Sequence, residues 1–195
     1  AAISDQTRVF HVGSLALIEG ADADLWAQHF ATLAANDVIT SLDPNARPVV
    51  VKDKDQYVAR LLRVMKHARV LKLSDEDLEY LAPDQPLMEA FEQICSETQA
   101  AIIILTKGAD GAVVRCGSAQ FDVAAAQADP LVDTVGAGDT FMGTLLVEIS
   151  KTGLSASKLG SIAKDELARI VTRAAKAAAL NCQSAGCNPP YEQDL

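Results

Sequence analysis

The chain has 195 residues, of which 49% are hydrophobic and 22% charged, and its formal net charge is −9 at pH 7. This is the balance of an ordinary globular protein, with enough residues for one domain with a substantial core. The negative charge argues against a nucleic-acid surface or an anionic membrane as partner, but it allows a nucleotide in a local pocket. No apolar run approaches the roughly 20 residues of a membrane span, and the first residues lack a signal-peptide pattern. We therefore expect a cytoplasmic protein.

Strand-like and helix-like segments alternate along most of the chain. A short buried strand is predicted at 8–14, followed by an amphipathic helix at 22–35 that carries Leu25, Trp26, Phe30 and Leu33 on one face. Further strands are predicted at 38–43, 70–73 and in the apolar run AAIIILTKG, and GAVVRCGSAQFDV is typical of a hairpin or a meander. The other predicted helices are 53–67, the acidic segment DEDLEYL with Ser74 as its N-cap, a segment after Pro86 that ends near Glu97, and two long helices at about 138–152 and 164–181.

This alternation predicts a single α/β domain over residues 1–195, with a mostly parallel sheet between two helix layers. Ligands of such sheets bind beyond the carboxyl ends of the strands. Three polar segments follow strands in this way: DPNAR, KLSDED and TKGADG. We expect them to meet at one edge of the sheet.

The cysteines and histidines give no pattern of their own. The cysteines are Cys95, Cys116, Cys182 and Cys187, and their spacing favours reduced thiols over a disulfide or a zinc site. The histidines are His11, His29 and His67, and we expect them to be structural or solvated rather than catalytic.

The segment DTVGAGDTFMGTLL, residues 133–146, places glycines and an acid ahead of an apolar helix. A P-loop is excluded because no lysine lies between Asp139 and Thr144, and the dinucleotide fingerprint fails because Phe141 stands where its third glycine belongs. Glycines at 136 and 138 still allow the backbone N–H groups to converge on an anion at the helix N-terminus. Asp139 would then be either a helix-capping acid or a base that accepts a proton in phosphoryl transfer.

The same segment resembles the C-terminal signature of the ribokinase-like, or PfkB, carbohydrate kinases. The segments DPNARP, KLSDEDLEYL, TKGADGAVV and AALNCQSAGCNPP resemble further family blocks in the family's order. FHVGSLAL and DPNARP are most similar to the fructokinase-type branch. The resemblance covers essentially the whole chain and implies the three-layer ribokinase-like fold, without the N-terminal portion that carries the small β lid and most sugar contacts.

The resemblance also implies a set of site residues. Asp139 would be the catalytic base, and Gly136, Ala137 and Gly138 would form the anion hole. The ATP site would be bordered by Thr106, Gly108, Gly111 and Asn181, and Asn45 and Arg47 would face phosphate or substrate. Ser74 and Asp77 fall on the family's N-x-x-E block, where Ser replaces Asn and Asp replaces Glu, so that Mg²⁺ would be held through water. Asp133, Val135, Ser184 and Gly186 would correspond to a K⁺ site.

The implied activity is ATP-dependent phosphorylation of a sugar hydroxyl. The alternatives are a kinase for a keto-deoxy sugar acid or a nucleoside, and a non-catalytic binding or regulatory protein with the same fold. The expected ligands are a sugar, ATP and Mg²⁺, with K⁺ as an option, and a homodimer is one expectation for a longer protein. We expect the 195-residue chain by itself to be inactive and either poorly soluble or self-associating, because the N-terminal portion implied by the resemblance would cover a strand edge and apolar surface.

Overall fold

The structure is a computed structural model and describes residues 3–4 and 6–195, with Ser14 described by its backbone alone. Six strands form one sheet in the order β1-β2-β3-β4-β5-β6. The strands β1 to β4 run parallel, and β5 and β6 join as antiparallel neighbours. The strands are β1 Val9–Gly13, β2 Ile39–Asp43, β3 Val70–Ser74, β4 Ile102–Thr106, β5 Ala112–Cys116 and β6 Ala119–Val123.

Six helices cover the two faces of the sheet. They are α1 Gly20–Ala34, α2 Lys54–Met65, α3 Asp75–Leu81, α4 Leu87–Glu97, α5 Ala137–Lys151 and α6 Lys164–Asn181. Phe30, Leu61 and Phe91 from α1, α2 and α4 pack in one core with Leu71 of β3. The second core joins α5 and α6 to Val70 and other strand residues on the opposite face. Side chains alternate between faces along a strand, so β3 feeds both cores. The predicted three-layer, mostly parallel α/β fold is confirmed.

The first strand differs from its prediction. It was expected to be buried, but β1 lies at the edge of the sheet, and of its side chains only Val12 is buried. Its inner neighbour β2 is buried at all five positions, from Ile39 to Asp43. An edge strand has one neighbour instead of two, so it is less covered even when its sequence is equally apolar.

The predicted apolar face of α1 is buried only in part. Phe30 is fully buried, but Leu25 and Trp26 are 54% and 40% exposed. The other buried positions of α1 are Ala23 and Ala34, so the face of α1 that is covered by the rest of the protein is formed partly by alanines. Trp26 instead contacts Phe10 of β1, with ring centroids 6.1 Å apart.

Most helix ends lie within two residues of their predicted positions. Ser74 accepts the backbone N–H of Asp77 at 3.0 Å, which confirms it as the N-cap of α3. Along the described part of the chain, no helix combines the length and apolar character needed to cross a bilayer. All four cysteines are free thiols.

Candidate functional site

A cleft lies at the edge of the sheet where the parallel strands end. It has a volume of about 770 Å³, and its lining includes Gly13 after β1, Asn45 and Arg47 after β2, Glu76 of α3 and Asp139 of α5. The strand register explains this convergence, since Gly13 pairs with Asp43 and Ser74 pairs with Thr106 at the last positions of their strands. The predicted substrate residues and the predicted base therefore share one cleft.

The turn before α5 has the conformation of an anion-binding site. Gly136 is the N-cap of α5 with φ 77°, in the left-handed region, and a Cβ atom there would lie 2.5 Å from Cys187 Sγ. Only glycine fits this position. The N–H of Ala137 donates to the Thr134 carbonyl at 3.2 Å, whereas the N–H groups of Gly138 and Asp139 have no acceptor among the described residues. Two backbone donors and the positive helix end are thus available to an anion.

Asp139 is the third residue of α5, and its side chain is exposed to the cleft. The helix has no side-chain cap hydrogen bond at its N-terminus. The capping function that a sequence pattern allows for this acid is therefore not fulfilled in the structure. A carboxylate beside two free N–H groups is placed to accept a proton from a hydroxyl group that approaches an anion bound there.

The residues of the KLSDED segment form a closed hydrogen-bond arrangement. Asp77 is 1% exposed, and its two carboxylate oxygens accept the backbone N–H groups of Ala46 at 2.7 Å and Ser74 at 2.8 Å. The arrangement ties the start of α3 to the loop that carries Asn45, whose φ of 41° is positive. Asp77 thereby positions a wall of the cleft. With both oxygens occupied by backbone donors, it does not fit direct ligation of a metal ion.

The predicted K⁺ residues are joined to the end of α6. The carboxylate of Asp133 accepts the N–H of Val135 at 3.0 Å and that of Gly186 at 2.8 Å. These backbone donors, with Gly186 first, lower the pKa of Asp133. Asn181, predicted at the ATP site, is fully buried, donates to the Val135 carbonyl at 2.8 Å and accepts from Asn188 N–H at 2.8 Å. Its side chain therefore holds the turn before α5 in place.

The TKGADG segment forms the turn between β4 and β5. Thr106 donates through Oγ1 to the Leu73 carbonyl at 3.3 Å, at the same sheet edge as the cleft. Gly111 has φ 81°, and a Cβ there would lie 2.3 Å from the Val123 carbonyl oxygen. Gly108 is exposed with φ 52° and has no atom within 4 Å of a Cβ position. Gly111 is thus required by packing, while Gly108 leaves an open surface beside the turn.

Sequence reasoning missed a buried ion pair below α5. Lys72 of β3 and Asp43 of β2 are 5% and 2% exposed, and Lys72 Nζ lies 3.2 and 3.1 Å from the two carboxylate oxygens. Burial raises the pKa of Asp43 to about 6, although the Lys72 ammonium opposes this shift. The signal in the sequence was a lone lysine inside the apolar strand VLKLS.

His11 belongs to the same face of the sheet. Its Nδ1 lies 3.1 Å from the Oγ of Ser41, and its ring keeps an exposed part at the sheet edge. Partial burial, which removes water from the ring, lowers the pKa of His11, while the carboxylate of Asp139 acts in the opposite direction. The expectation that His11 is structural or solvated agrees with this hydrogen bond.

The chain is a three-layer α/β protein with a cleft where its parallel strands end. Comparison with known proteins gives its family. The model of the pfkB family carbohydrate kinases matches residues 2–194, so the chain belongs to this family. Among curated relatives, a fructokinase of Rhizobium leguminosarum bv. trifolii is 33% identical over 152 residues, which is 78% of this chain and 46% of that protein. A fructokinase of Escherichia coli is 32% identical over 157 residues, or 80% of this chain and 49% of that protein.

Solved structures agree with the fold. A fructokinase double mutant from Vibrio cholerae O395, described as bound to fructose, ADP and potassium ion, matches with a TM-score of 0.80 and 26% identity over 95% of this chain and 57% of that one. A fructokinase from Xylella fastidiosa with bound ATP matches with a TM-score of 0.81 at 24% identity, covering 92% of this chain and 56% of that one, which supports the fold alone. The chain spans about half the length of the relatives it matches.

Proposed function

We propose that the protein containing this chain transfers the γ-phosphoryl group of ATP to a hydroxyl group of a sugar, with a fructose-like sugar as the first candidate. The observation that carries the proposal is the position of Asp139, which is exposed in the cleft beside the backbone N–H groups of Gly138 and Asp139, neither of which has an acceptor in the described part of the chain. The fructokinase relatives support a sugar as acceptor.

The arrangement suggests how the chain's own groups would act. The N–H groups at the start of α5 would bind the phosphoryl group, where the helix dipole favours negative charge. The carboxylate of Asp139 would accept the proton of the sugar hydroxyl group while the oxygen of that hydroxyl group forms a bond to the γ-phosphorus. The bond from phosphorus to the bridging oxygen breaks, and ADP leaves with that electron pair. Asp139 then releases its proton to water.

Magnesium is proposed as the counter-ion of the nucleotide rather than as an ion that this chain ligates directly. Among the described residues, no group of three or more His, Cys, Asp or Glu side chains could hold a metal ion. The carboxylate of Asp77 is committed to two backbone donors. Mg²⁺ commonly keeps several waters and binds substrate phosphates, which fits this donor set.

A monovalent cation is proposed near the turn before α5. The expected ligands are Asp133, the Val135 carbonyl, Ser184 and Gly186. Two of these residues are in contact, because the backbone N–H of Gly186 donates a hydrogen bond to the Asp133 carboxylate at 2.8 Å. The potassium ion described for the Vibrio cholerae relative supports this choice. We also propose a cytoplasmic location and a homodimer for the protein that contains this chain.

The test is an assay of the complete protein encoded by the gene. ADP formation is measured with ATP and Mg²⁺ against fructose, other hexoses, a keto-deoxy sugar acid and several nucleosides, with K⁺ and with tetramethylammonium in its place. We expect ADP to form fastest with a hexose, and Asp139→Asn to lower that rate by about 10²- to 10⁴-fold. A preference for a nucleoside or sugar acid would identify the alternative kinase, and no acceptor-dependent ADP formation would support a non-catalytic protein.

A further inference from the structure

The buried ion pair between Lys72 and Asp43 lies on the sheet face covered by α5 and α6. Val70, two residues before Lys72, packs in the core on that face, and side chains two residues apart along a strand point the same way. The pair is joined at 3.1 and 3.2 Å and is almost fully buried. It therefore interrupts an apolar core directly below the first turn of α5.

Folding stability gives little reason for this placement. A buried ion pair can commonly be replaced by apolar residues without loss of stability, because desolvation offsets the attraction between the charges. A cation is also disfavoured near a helix N-terminus, where the helix dipole is positive. Lys72 lies beside the N-terminal turn of α5, so neither stability nor the helix dipole explains why a cation is buried there.

The packing beside Gly138 points to that reason. A Cβ atom at Gly138 would lie 3.6 Å from Lys72 Nζ, so the ammonium group sits beside the turn that offers free N–H groups. An ammonium group has three N–H donors. Within the described residues, its hydrogen bonds go to the two oxygens of Asp43, which leaves one donor for a ligand.

We propose that Lys72 is a further phosphate-contacting residue of this site, which Asp43 holds beside the first turn of α5 so that its ammonium group donates to the transferred phosphoryl group. This inference rests on the proposed function. It explains the burial of the pair, because a lysine acts as a point charge toward phosphate and is worth more in a dry environment. It also explains how the negative charges of Asp139 and a phosphoryl group can be close together.

The experiment uses the complete protein and three variants. Lys72→Met removes the charge, and Lys72→Met combined with Asp43→Leu replaces the whole pair by apolar side chains. Arg60→Met is the matched control, since Arg60 is a buried cation of α2, on the opposite face of the sheet, that donates to the Leu17 and Ile18 carbonyls. For each protein we would measure kcat, KM for the sugar, melting temperature, and Kd for ADP and for a non-hydrolysable ATP analogue.

Both Lys72 variants should lower kcat by about 10²- to 10³-fold, the usual effect of removing one donor to a developing charge. Affinity for the ATP analogue should fall by about tenfold or more, as expected for a charge-assisted hydrogen bond, while affinity for ADP changes little. Arg60→Met should lower the melting temperature and leave kcat and both affinities near their original values.

Recovery of kcat by the double variant would overturn the proposal, because it would show that the pair only fills space. Equal loss of ADP and ATP-analogue affinity would overturn it as well. If Lys72→Met does not fold, the double variant carries the test by itself. If the unmodified protein forms no ADP with any acceptor, the proposed function fails, whereas the comparison of the two affinities still tests Lys72.

Discussion

Asn181, the last residue of α6, donates a hydrogen bond from Nδ2 to the backbone carbonyl of Val135, 2.8 Å away, in the turn that begins α5. Its Oδ1 accepts the N–H of Asn188 at 2.8 Å, so one buried amide joins three segments of the chain. The buried side chain of Asn181 thus holds the turn before α5 in place, although it does not line the cleft.

Asn181→Ala should therefore lower both stability and nucleotide affinity. The substitution removes the hydrogen bonds to the Val135 carbonyl and to the Asn188 N–H, and each lost bond costs about 0.5–1.5 kcal/mol. Asn36→Ala is the control, because Asn36 donates to the Thr32 carbonyl at 2.8 Å on the exposed surface. Thermal unfolding and ATP titration measure the two effects. An ATP affinity equal to that of the control variant would contradict the proposed support of the turn.

Asp77→Asn should destabilise the protein without changing its dependence on Mg²⁺. One carboxylate oxygen becomes an NH₂ group that cannot accept the N–H of Ala46 or Ser74, with an expected loss of about 1–3 kcal/mol. Asp75→Asn, whose carboxylate accepts only an exposed N–H, should change stability by no more than about 0.5 kcal/mol. Urea unfolding and activity against Mg²⁺ concentration separate the roles. A weakened Mg²⁺ response at unchanged stability would contradict this prediction and indicate that Asp77 contacts Mg²⁺ through water.

Asp139→Asn should lower kcat by about 10²- to 10⁴-fold, the usual contribution of general-base catalysis. Asp139 makes no cap hydrogen bond, so the variant loses only the favourable interaction of the carboxylate with the helix dipole, and stability should change by about 1 kcal/mol or less. ATP binding should persist or tighten, because a negative charge beside the phosphates is removed. Turnover, ATP affinity and melting temperature are measured on the same variant. Turnover within a few-fold of the original would show that Asp139 is not the base.

Substitution of Gly136, the N-cap of α5, and of Gly143, inside α5, should change the stability of the protein in opposite directions. Gly136→Ala places a methyl group 2.5 Å from Cys187 Sγ at φ 77°, and the left-handed conformation alone costs about 1–2 kcal/mol. At Gly143 an added Cβ atom would have no neighbouring atom within 4 Å, so Gly143→Ala should stabilise the helix by about 0.5–1 kcal/mol. Chemical denaturation of both variants provides the comparison. Equal stabilities would show that the turn tolerates a side chain at 136.

Gly138→Val should weaken ATP binding more than it weakens the fold. The position has no positive φ, and its nearest neighbour is Lys72 Nζ at 3.6 Å from the Cβ position, so a methyl group fits while a branched side chain crowds the free N–H groups. Gly138→Ala is the smaller control. ATP affinity is measured by calorimetry for both, and an unchanged affinity of the valine variant would remove the anion-hole assignment.

The sequence was sufficient for the parts of the protein that depend on local pattern. The apolar runs and turn residues predicted the alternating strands and helices, and the Ser74 cap follows from short-range chemistry that acts within one turn. The glycine-rich segment predicted the turn before α5 and the acid in its first turn, because a left-handed glycine followed by a helix depends on neighbouring residues alone.

The tertiary structure decided which residues meet across the sheet. The pairing of Asp43 with Lys72 depends on two neighbouring strands, and the hydrogen bond from Ala46 to Asp77 joins residues far apart in sequence. The exposure of Leu25 and Trp26 depends on the position of β1 at the edge, which periodicity cannot show. Local sequence determines which segments form strands and helices, whereas burial and long-range pairing arise only when those segments pack, because both depend on neighbours contributed by distant parts of the chain.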